Sequence, residues 1–435
     1  MKKQERDNYI FAKKSLLLQL FLFYYSDVPY DALVLRSFGF SFDPTCNFKA
    51  IVKSHKGHIH KYVTHIFLSM SGVNFEKMDV MGDVNIIRVK NITSVDEFYE
   101  PEASLNVYFD GAKFYANGYL EGKKIDYRFS PKKKSVTDDL LFHLGNDKKL
   151  SGINSSADCF VLWLMKLYTS KLNVDLIMGA GINADYGAKD WSSLIDCLNN
   201  DFYQGDYKFA DEIEHYVGKE LFTSSMVLKT SGFDSYKSLD RELYEFPAAK
   251  SFDDPDSTLY HCVDYIEKHA HTTVITYNYD TNLEYLLKKR GIRYTTVYDD
   301  NSFVDKEAGV DIYHVHGLLP YDKYNEKKFT DSLIFNESEY YYLYNNPYSW
   351  NIAKQLHDFK FNVCIFIGIS LTDPDMKRLL ELAQNYLKFN FIFLKKEKDF
   401  SETVYRDLTS YFFTFDLIVI WIDEYSQIAD YLENL

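Results

Sequence analysis

The sequence predicts an α/β chain: a Rossmann-like parallel sheet with helical insertions, preceded by a smaller β-rich (α+β) N-terminal domain. Three observations predict it. The short apolar run Val174–Met178 is long enough for a buried strand and too short for a helix, and Thr272–Asp280, Ile312–Gly317 and Asn362–Asp373 read as further strands. Each run ends in a glycine or polar cluster. Between them apolar residues recur at helical spacing, as in Trp191, Leu194, Ile195 and Leu198.

The chain has 435 residues, enough for two domains or more. Hydrophobic content of 46% and charged content of 26% are those of an ordinary globular protein. The net charge of −14 argues against broad nucleic-acid binding, which needs a basic surface. Five cysteines, odd in number and without a C-x-x-C pair, point to a reducing, cytoplasmic setting.

Leu16–Tyr25 is apolar but too short to span a bilayer. Glu5 and Asp7 in its leader disagree with a signal peptide, so a buried helix or strand is expected. Between about Ser41 and Ser130 the chain reads as β. Leu105–Phe109, Lys113–Leu120 and Lys124–Phe129, separated by Asp110–Gly111 and Glu121–Gly122, predict a three-stranded meander. His58 and His60 would share a strand face within the cluster His55, His58, His60 and His65. Without an acidic or thiol ligand beside them, surface histidines are the commoner reading. Ser130–Leu150, with Pro131 and two lysine clusters, marks a connector. The expected domains are therefore 1–150, an accessory or assembly domain, and 151–435, a nucleotide-binding catalytic domain.

The second domain opens with a helix, Ala157–Leu172, whose Trp163, Leu164 and Leu167 lie on one side. The strand Val174–Met178 hands over at once to Gly179, Ala180 and Gly181. Such a turn lets backbone N–H groups approach an anion such as a pyrophosphate, and a following helix N-terminus adds partial positive charge. Cys197–His269 shows helical spacing without a clear strand, for example Ile213, Tyr216, Val217 and Leu221. TTVITYNYD places Asn278 and Asp280 after the second strand, and IYHVHG places His316 after the third. A second insertion, Leu318–Lys360, carries Asn336 as a helix cap, with Glu337 and Glu339 in the first turn. NVCIFIGISLTD then ends its strand in Gly368 and Ser370, before a helix at Pro374–Leu387. In an open parallel sheet all these ends lie along one edge, where ligands bind.

This set, in this order, resembles the SIR2 (sirtuin) family. Gly179, Ala180, Gly181, Ile182 and Gly187 match the family's G-A-G-I-S-x-x-x-G opening, with Asn183 in place of serine. Asp190 and Trp191 fall on the D-F of its P-D-F-R, while Lys189 and Ser192 replace the proline and arginine. The family's T-Q-N-I-D becomes Thr276, Asn278 and Asp280 with tyrosines between. Its catalytic H-G is His316–Gly317, and its G-T-S is Gly368, Ile369 and Ser370. The resemblance runs from Lys171 to the C-terminus. Sirtuin deacetylases carry a zinc module with two C-x-x-C pairs after the histidine. Here only Cys364 lies between His316 and Gly368, so no zinc is expected.

The resemblance implies NAD+ as substrate. Gly179, Ala180, Gly181 and Gly368 would seat the pyrophosphate, with Asn183 beside them, and Asp190 would contact the nicotinamide carboxamide. Asn278 would hold ribose hydroxyls or the attacking water. Asp280 would brace that loop or only cap the helix from Thr281. Ser370 would touch ribose or phosphate, or with Asp373 cap the next helix. His316 titrates near neutrality, which suits a general base. His314, two residues earlier, faces the other side of the sheet as a structural residue.

Three functions remain open on this reading. The first is NAD+ hydrolysis, as in the zinc-less SIR2-like NADases of bacterial anti-phage defence, which share a G-x-x-x-W-x-x-L-L helix start, here Gly187 to Ile195. The second is protein deacylation or ADP-ribosyl transfer. The third is a non-catalytic nucleotide sensor or scaffold. The missing zinc module disfavours the second, and the presence of His316, Asn278 and Asp190 disfavours the third. Expected partners are a homo-oligomer, an accessory sensor or activator protein, or both, with neither nucleic acid nor membrane.

Overall fold

The computed structural model describes residues 156–203, 235–245 and 254–435, with short gaps at 171, 270–271, 303, 306–307, 346–348 and 386–387. It also describes the backbone of four strands between residues 85 and 129, and a few isolated positions. Leu16–Tyr25, the histidine cluster, the connector at 130–150 and the spacing at Ile213–Leu221 lie outside the described residues.

The four strands, β1 (Asn85–Lys90), β2 (Ser104–Phe109), β3 (Phe114–Leu120) and β4 (Lys123–Phe129), form one antiparallel sheet in the order β1-β2-β3-β4. The expected meander is β2 to β4. Leu120, the last residue of β3, pairs with Lys123, the first of β4. β1 is an additional strand at its edge.

The rest of the chain begins with α1 (Ser156–Thr169), β5 (Val174–Met178), a 3-10 helix (Ala180–Tyr186) and α2 (Trp191–Tyr203). Next come α3 (Ser235–Tyr244), α4 (Thr258–Lys268), β6 (Thr272–Thr276), α5 (Asn282–Lys289), β7 (Tyr294–Val297) and β8 (Val310–His314). Then follow α6 (Lys327–Thr330), α7 (Glu337–Asn345), α8 (Trp350–Phe361), β9 (Val363–Ile367) and α9 (Pro374–Leu382). The chain closes with β10 (Asn390–Lys395), α10 (Glu402–Phe413), β11 (Leu417–Ile422) and α11 (Gln427–Glu433).

These seven strands make one parallel sheet, ordered β11-β10-β9-β5-β6-β8-β7. Its central strands are buried along their length rather than on alternate residues: Leu176, Ile177, Val274, Ile275 and all of Val363–Ile367 are inaccessible. That is the signature of a parallel sheet covered on both faces. The chain leaves β5 for β6 on one side and later returns to β9 on the other, so the strand order reverses between β5 and β9. Ligands of open α/β sheets bind at such a switch point, outside the carboxyl ends of the strands.

Trp163, Leu164 and Leu167 of α1 are buried, as are Val161, Leu162, Met165 and Tyr168. The 3-10 helix, which takes in Ala180 and Gly181, leads into α2. Two helices end earlier than expected: α1 stops at Thr169, short of Leu172, and α9 stops at Leu382, short of Leu387. Among the described residues no helix is long and apolar enough to cross a membrane.

At the far, amino end of the sheet sits a buried acid cluster. Asp175 of β5 is 1% exposed and accepts a hydrogen bond from Asn362 Nδ2 at 2.8 Å. Asp358 of α8 is also buried, with Lys354 Nζ 2.8 Å from its Oδ2. Burial, reinforced by the charge of Asp358, pushes the Asp175 carboxyl up to about 8. The folded chain thus keeps a proton that the unfolded chain releases near pH ~4. The associated stability is complete below that pH and is lost as pH rises through about 8. Asp175→Asn is therefore expected to match the wild type near pH 4 and to be more stable near pH 9, by about 1–3 kcal/mol. Thermal melts across pH check this, and equal loss of stability at both pH values would refute it.

Candidate active site

The glycine turn closes the switch point. Gly179 N–H donates to Ile367 O at 3.1 Å, and Gly181 N–H donates to Gly368 O at 2.9 Å. A Cβ on Gly179 would lie 2.6 Å from Ile369 Cγ1, and one on Gly181 would lie 2.9 Å from Gly368 Cα. Gly368 has φ +69°, and a Cβ there would lie 2.1 Å from Ile182 N. The two glycine motifs, 189 residues apart from Gly179 to Gly368, are pressed backbone against backbone. The N–H groups of Gly179 and Gly181 are engaged inside the protein, so both glycines act here as a seat between loops.

Beside this seat lies a polar cluster. Asn183 is buried and its Nδ2 donates to Asp280 Oδ2 at 2.9 Å, while Tyr186 O–H donates to Asn183 Oδ1. Asp280 Oδ1 accepts Asn282 N–H at 3.0 Å, so this carboxylate both caps α5 and ties β6 to the glycine loop. Burial raises Asp280 to about 6, held from rising further mainly by the Asn282 N–H. Asn278 Nδ2 reaches Gly179 O at 3.3 Å, and the Asn278 carbonyl oxygen lies 2.9 Å from His314 Nδ1. His314 Nε2 is 2.8 Å from Glu284 Oε1. Burial works against the charged imidazole, but Glu284 outweighs it and the pKa of His314 is raised. His314 is thus committed to a buried pair with Glu284, a residue that sequence reading missed. Asn183, Asn278, Asp280, Glu284 and His314 border a void of about 10 Å³.

His316 follows β8 by two residues. Val315 N–H donates to Thr276 O at 3.1 Å, and Gly317 has φ +87°, where a Cβ would also strike Ser332 O at 2.2 Å. The His316 ring is 4% exposed. It stands perpendicular to Tyr277, 5.0 Å between centroids, and edge-on to Tyr340 at 6.3 Å. Tyr340 O–H donates to Asp373, which caps α9 through the N–H groups of Asp375 and Met376 at 2.8 and 3.4 Å. Burial lowers the His316 pKa, with Asp373 and Asp375 pulling the other way. A neutral imidazole at pH 7 is a proton acceptor.

The remaining two candidates have local partners. Asp190 is exposed and accepts Ser193 N–H at 2.7 Å, which makes it the cap of α2. Ser370 is exposed, its hydroxyl 3.0 Å from that of Thr372. Among the described residues no group of three or more His, Cys, Asp or Glu side chains is arranged to hold a metal ion.

Residues 272–409 match the family model described as a SIR2-like domain. The chain carries a SIR2-like domain. No curated protein matches the sequence. The matched span opens on β6 and takes in Asn278, Asp280, His316 and Gly368; the glycine turn after β5 precedes it and is hydrogen-bonded to its β9 loop. SIR2-like domains are typically NAD-dependent enzyme folds, which sets the class of chemistry.

Two further features of this SIR2-like domain surround the site. The helical insertions share one core: Leu194, Ile195 and Leu198 of α2 and Leu239 of α3 pack with Tyr279, Leu319, Leu333 and Phe335. Tyr279, between Asn278 and Asp280, pins it by donating its O–H to Ile334 O at 2.6 Å. Tyr244 of α3 donates to Leu319 O at 2.7 Å and accepts Thr281 N–H at 3.0 Å. Asn336 caps α7 as expected, and Glu339 Oε2 accepts from the Phe335 and Asn336 N–H groups at 2.9 and 3.2 Å, completing a capping box. On the other flank a cleft of about 550 Å³ opens at the carboxyl ends of β10 and β11, beside the 3-10 helix. Asp185, Asp256, Lys395, Glu424 and Tyr425 line it, and sequence reading found none of them because they converge from four separate segments.

Proposed function

We propose that this chain is an NAD+ glycohydrolase that cleaves NAD+ to nicotinamide and ADP-ribose. The observation that carries the reading is the seating of His316: a buried imidazole with a lowered pKa at the carboxyl edge of the sheet, on the strand beside Asn278 and the glycine seat. The C1′–N bond to nicotinamide breaks and its electron pair leaves on the ring nitrogen. A water oxygen bonds to C1′, and His316 takes the proton of that water. Asn278 orients the water or the ribose hydroxyls. Asp280 and Asn183 hold that loop in place. Gly179, Ala180, Gly181 and Gly368 shape the turn that borders the pyrophosphate by packing loop on loop, since the Gly179 and Gly181 N–H groups are already engaged, while Ser370 serves the phosphate or ribose and Asp190 the carboxamide. The cleft lined by Asp256, Lys395 and Glu424 takes the adenosine half, with carboxylates for the ribose diol.

The tyrosine-rich insertion Leu318–Lys360 follows His316 in the sequence, where deacylases carry the zinc module that flanks an acyl-peptide groove, which supports water as the acceptor. We further assign the chain to anti-phage defence in the bacterial cytoplasm as an effector that depletes NAD+. A toxic hydrolase needs restraint, so closure of the site by self-assembly or an activator protein, through residues 1–150, is part of this reading. The test is purified chain incubated with NAD+, alone and at concentrations that drive self-association. Nicotinamide release that His316→Ala abolishes is expected; NAD+ left intact under both conditions would count against the reading.

A further inference from the structure

α8 carries two buried amides four residues apart, Asn351 and Gln355, on the face toward the strand ends. Asn351 Nδ2 donates to Val315 O, the carbonyl preceding His316, at 3.0 Å. Gln355 Oε1 accepts the O–H of Tyr277, whose ring stands perpendicular to His316. Gln355 Nε2 donates to Asn351 O at 3.0 Å, and Asn351 Oδ1 accepts Ile352 N–H at 3.0 Å, so both amides are engaged at each end. Tyr277 N–H also donates to Met178 O at 2.9 Å, tying it to β5.

One helix thus grips both strand ends that flank the histidine, one by a carbonyl and one by a phenol. An apolar face on α8 would bury as well but would not fix a ring orientation, because dispersion contacts have no direction and hydrogen bonds do. Tyr277 stands where the sirtuin motif has glutamine, and its hydroxyl is spent on Gln355, so it presents its ring rather than a polar group to the site.

We infer that Asn351, Gln355 and Tyr277 are positioning residues that hold the His316 ring in its catalytic orientation. The kinetic part of this inference rests on the proposed hydrolysis; the orientation of His316 does not. Misplacement of a reacting group by about 1 Å costs up to roughly 100-fold in rate. Tyr277→Phe is expected to lower kcat about 10-fold and Gln355→Leu about 10- to 100-fold, with KM for NAD+ within about threefold. The double variant is expected to be no slower than Gln355→Leu alone, since that substitution already removes the Tyr277–Gln355 hydrogen bond.

The second readout is an NMR titration of the His316 imidazole, its signal assigned by its loss in His316→Ala. Loosening the ring from its buried seat should raise its midpoint in both variants toward the ordinary value of about 6.5. Tyr277→Phe removes a single oxygen and carries the test if Gln355→Leu does not fold. Folded variants with unchanged kcat and an unchanged His316 midpoint would overturn the inference. A wild type inert toward NAD+ would overturn the hydrolysis reading, and the titration would then decide the positioning role by itself.

Discussion

His316→Ala is expected to reduce NAD+ turnover by about 10²- to 10⁴-fold, the range supplied by a positioned acid or base. NAD+ affinity should stay within about threefold, because the seat proposed for the phosphates is on the β5 and β9 loops and not on His316. The pH profile gives the same residue a second check. Burial lowers the His316 pKa, so the base is neutral at pH 7 and the acid limb of kcat should fall below about 6.5. Asp280, raised to about 6, ionises in the same window, and its neutral form would weaken the bond from Asn183. Asp280→Asn separates the two: a limb that persists in that variant belongs to His316. Near-normal hydrolysis by His316→Ala, measured by steady-state kinetics, would remove the imidazole from the mechanism.

Gly368→Ala should be among the most damaging single methyls in the described residues. Its φ of +69° is strained for any L side chain, and the added Cβ would meet Ile182 N at 2.1 Å, Gly181 C at 2.7 Å and Gly179 O at 2.9 Å. All three are backbone atoms of the opposite loop, so no rotamer change relieves the clash. A cost of about 3 kcal/mol or more is expected, with a fall in melting temperature of roughly 10 °C. NAD+ binding should fall with it, because the seat is the contact between these loops. A calorimetric affinity and a melting temperature both close to wild type would show that the turn is not what organises the site. Gly181→Val, an obvious alternative, collides with Gly368 and so cannot separate anion contact from loop packing.

Strands whose ends carry chemistry were legible in the sequence, since an apolar run stopping at GAG, NYD, HG or GIS announces both an element and its edge. β7, β10 and β11 were passed over. LIVIWI and NFIFLK are evident apolar runs, yet they end in no recognisable motif. The reach of Asn183 to Asp280, 97 residues away, was hidden because asparagine replaces the serine of the motif and its partner is set by the fold. Glu284 looked like an ordinary polar residue of α5, and only the sheet brings it to His314. Asn351 and Gln355 share that concealment: a polar residue on an amphipathic helix reads as surface until the strand ends it grips are in place. Local signals thus located the edge, while the packing that orients each group there came from distant segments.

The most direct test of the central claim is mass spectrometry of the products formed from NAD+ by the purified chain, with and without an acylated lysine peptide. Equal amounts of nicotinamide and free ADP-ribose, formed at the same rate in both arms, are predicted. Turnover that requires the peptide and yields O-acyl-ADP-ribose would contradict the account and make the chain a deacylase.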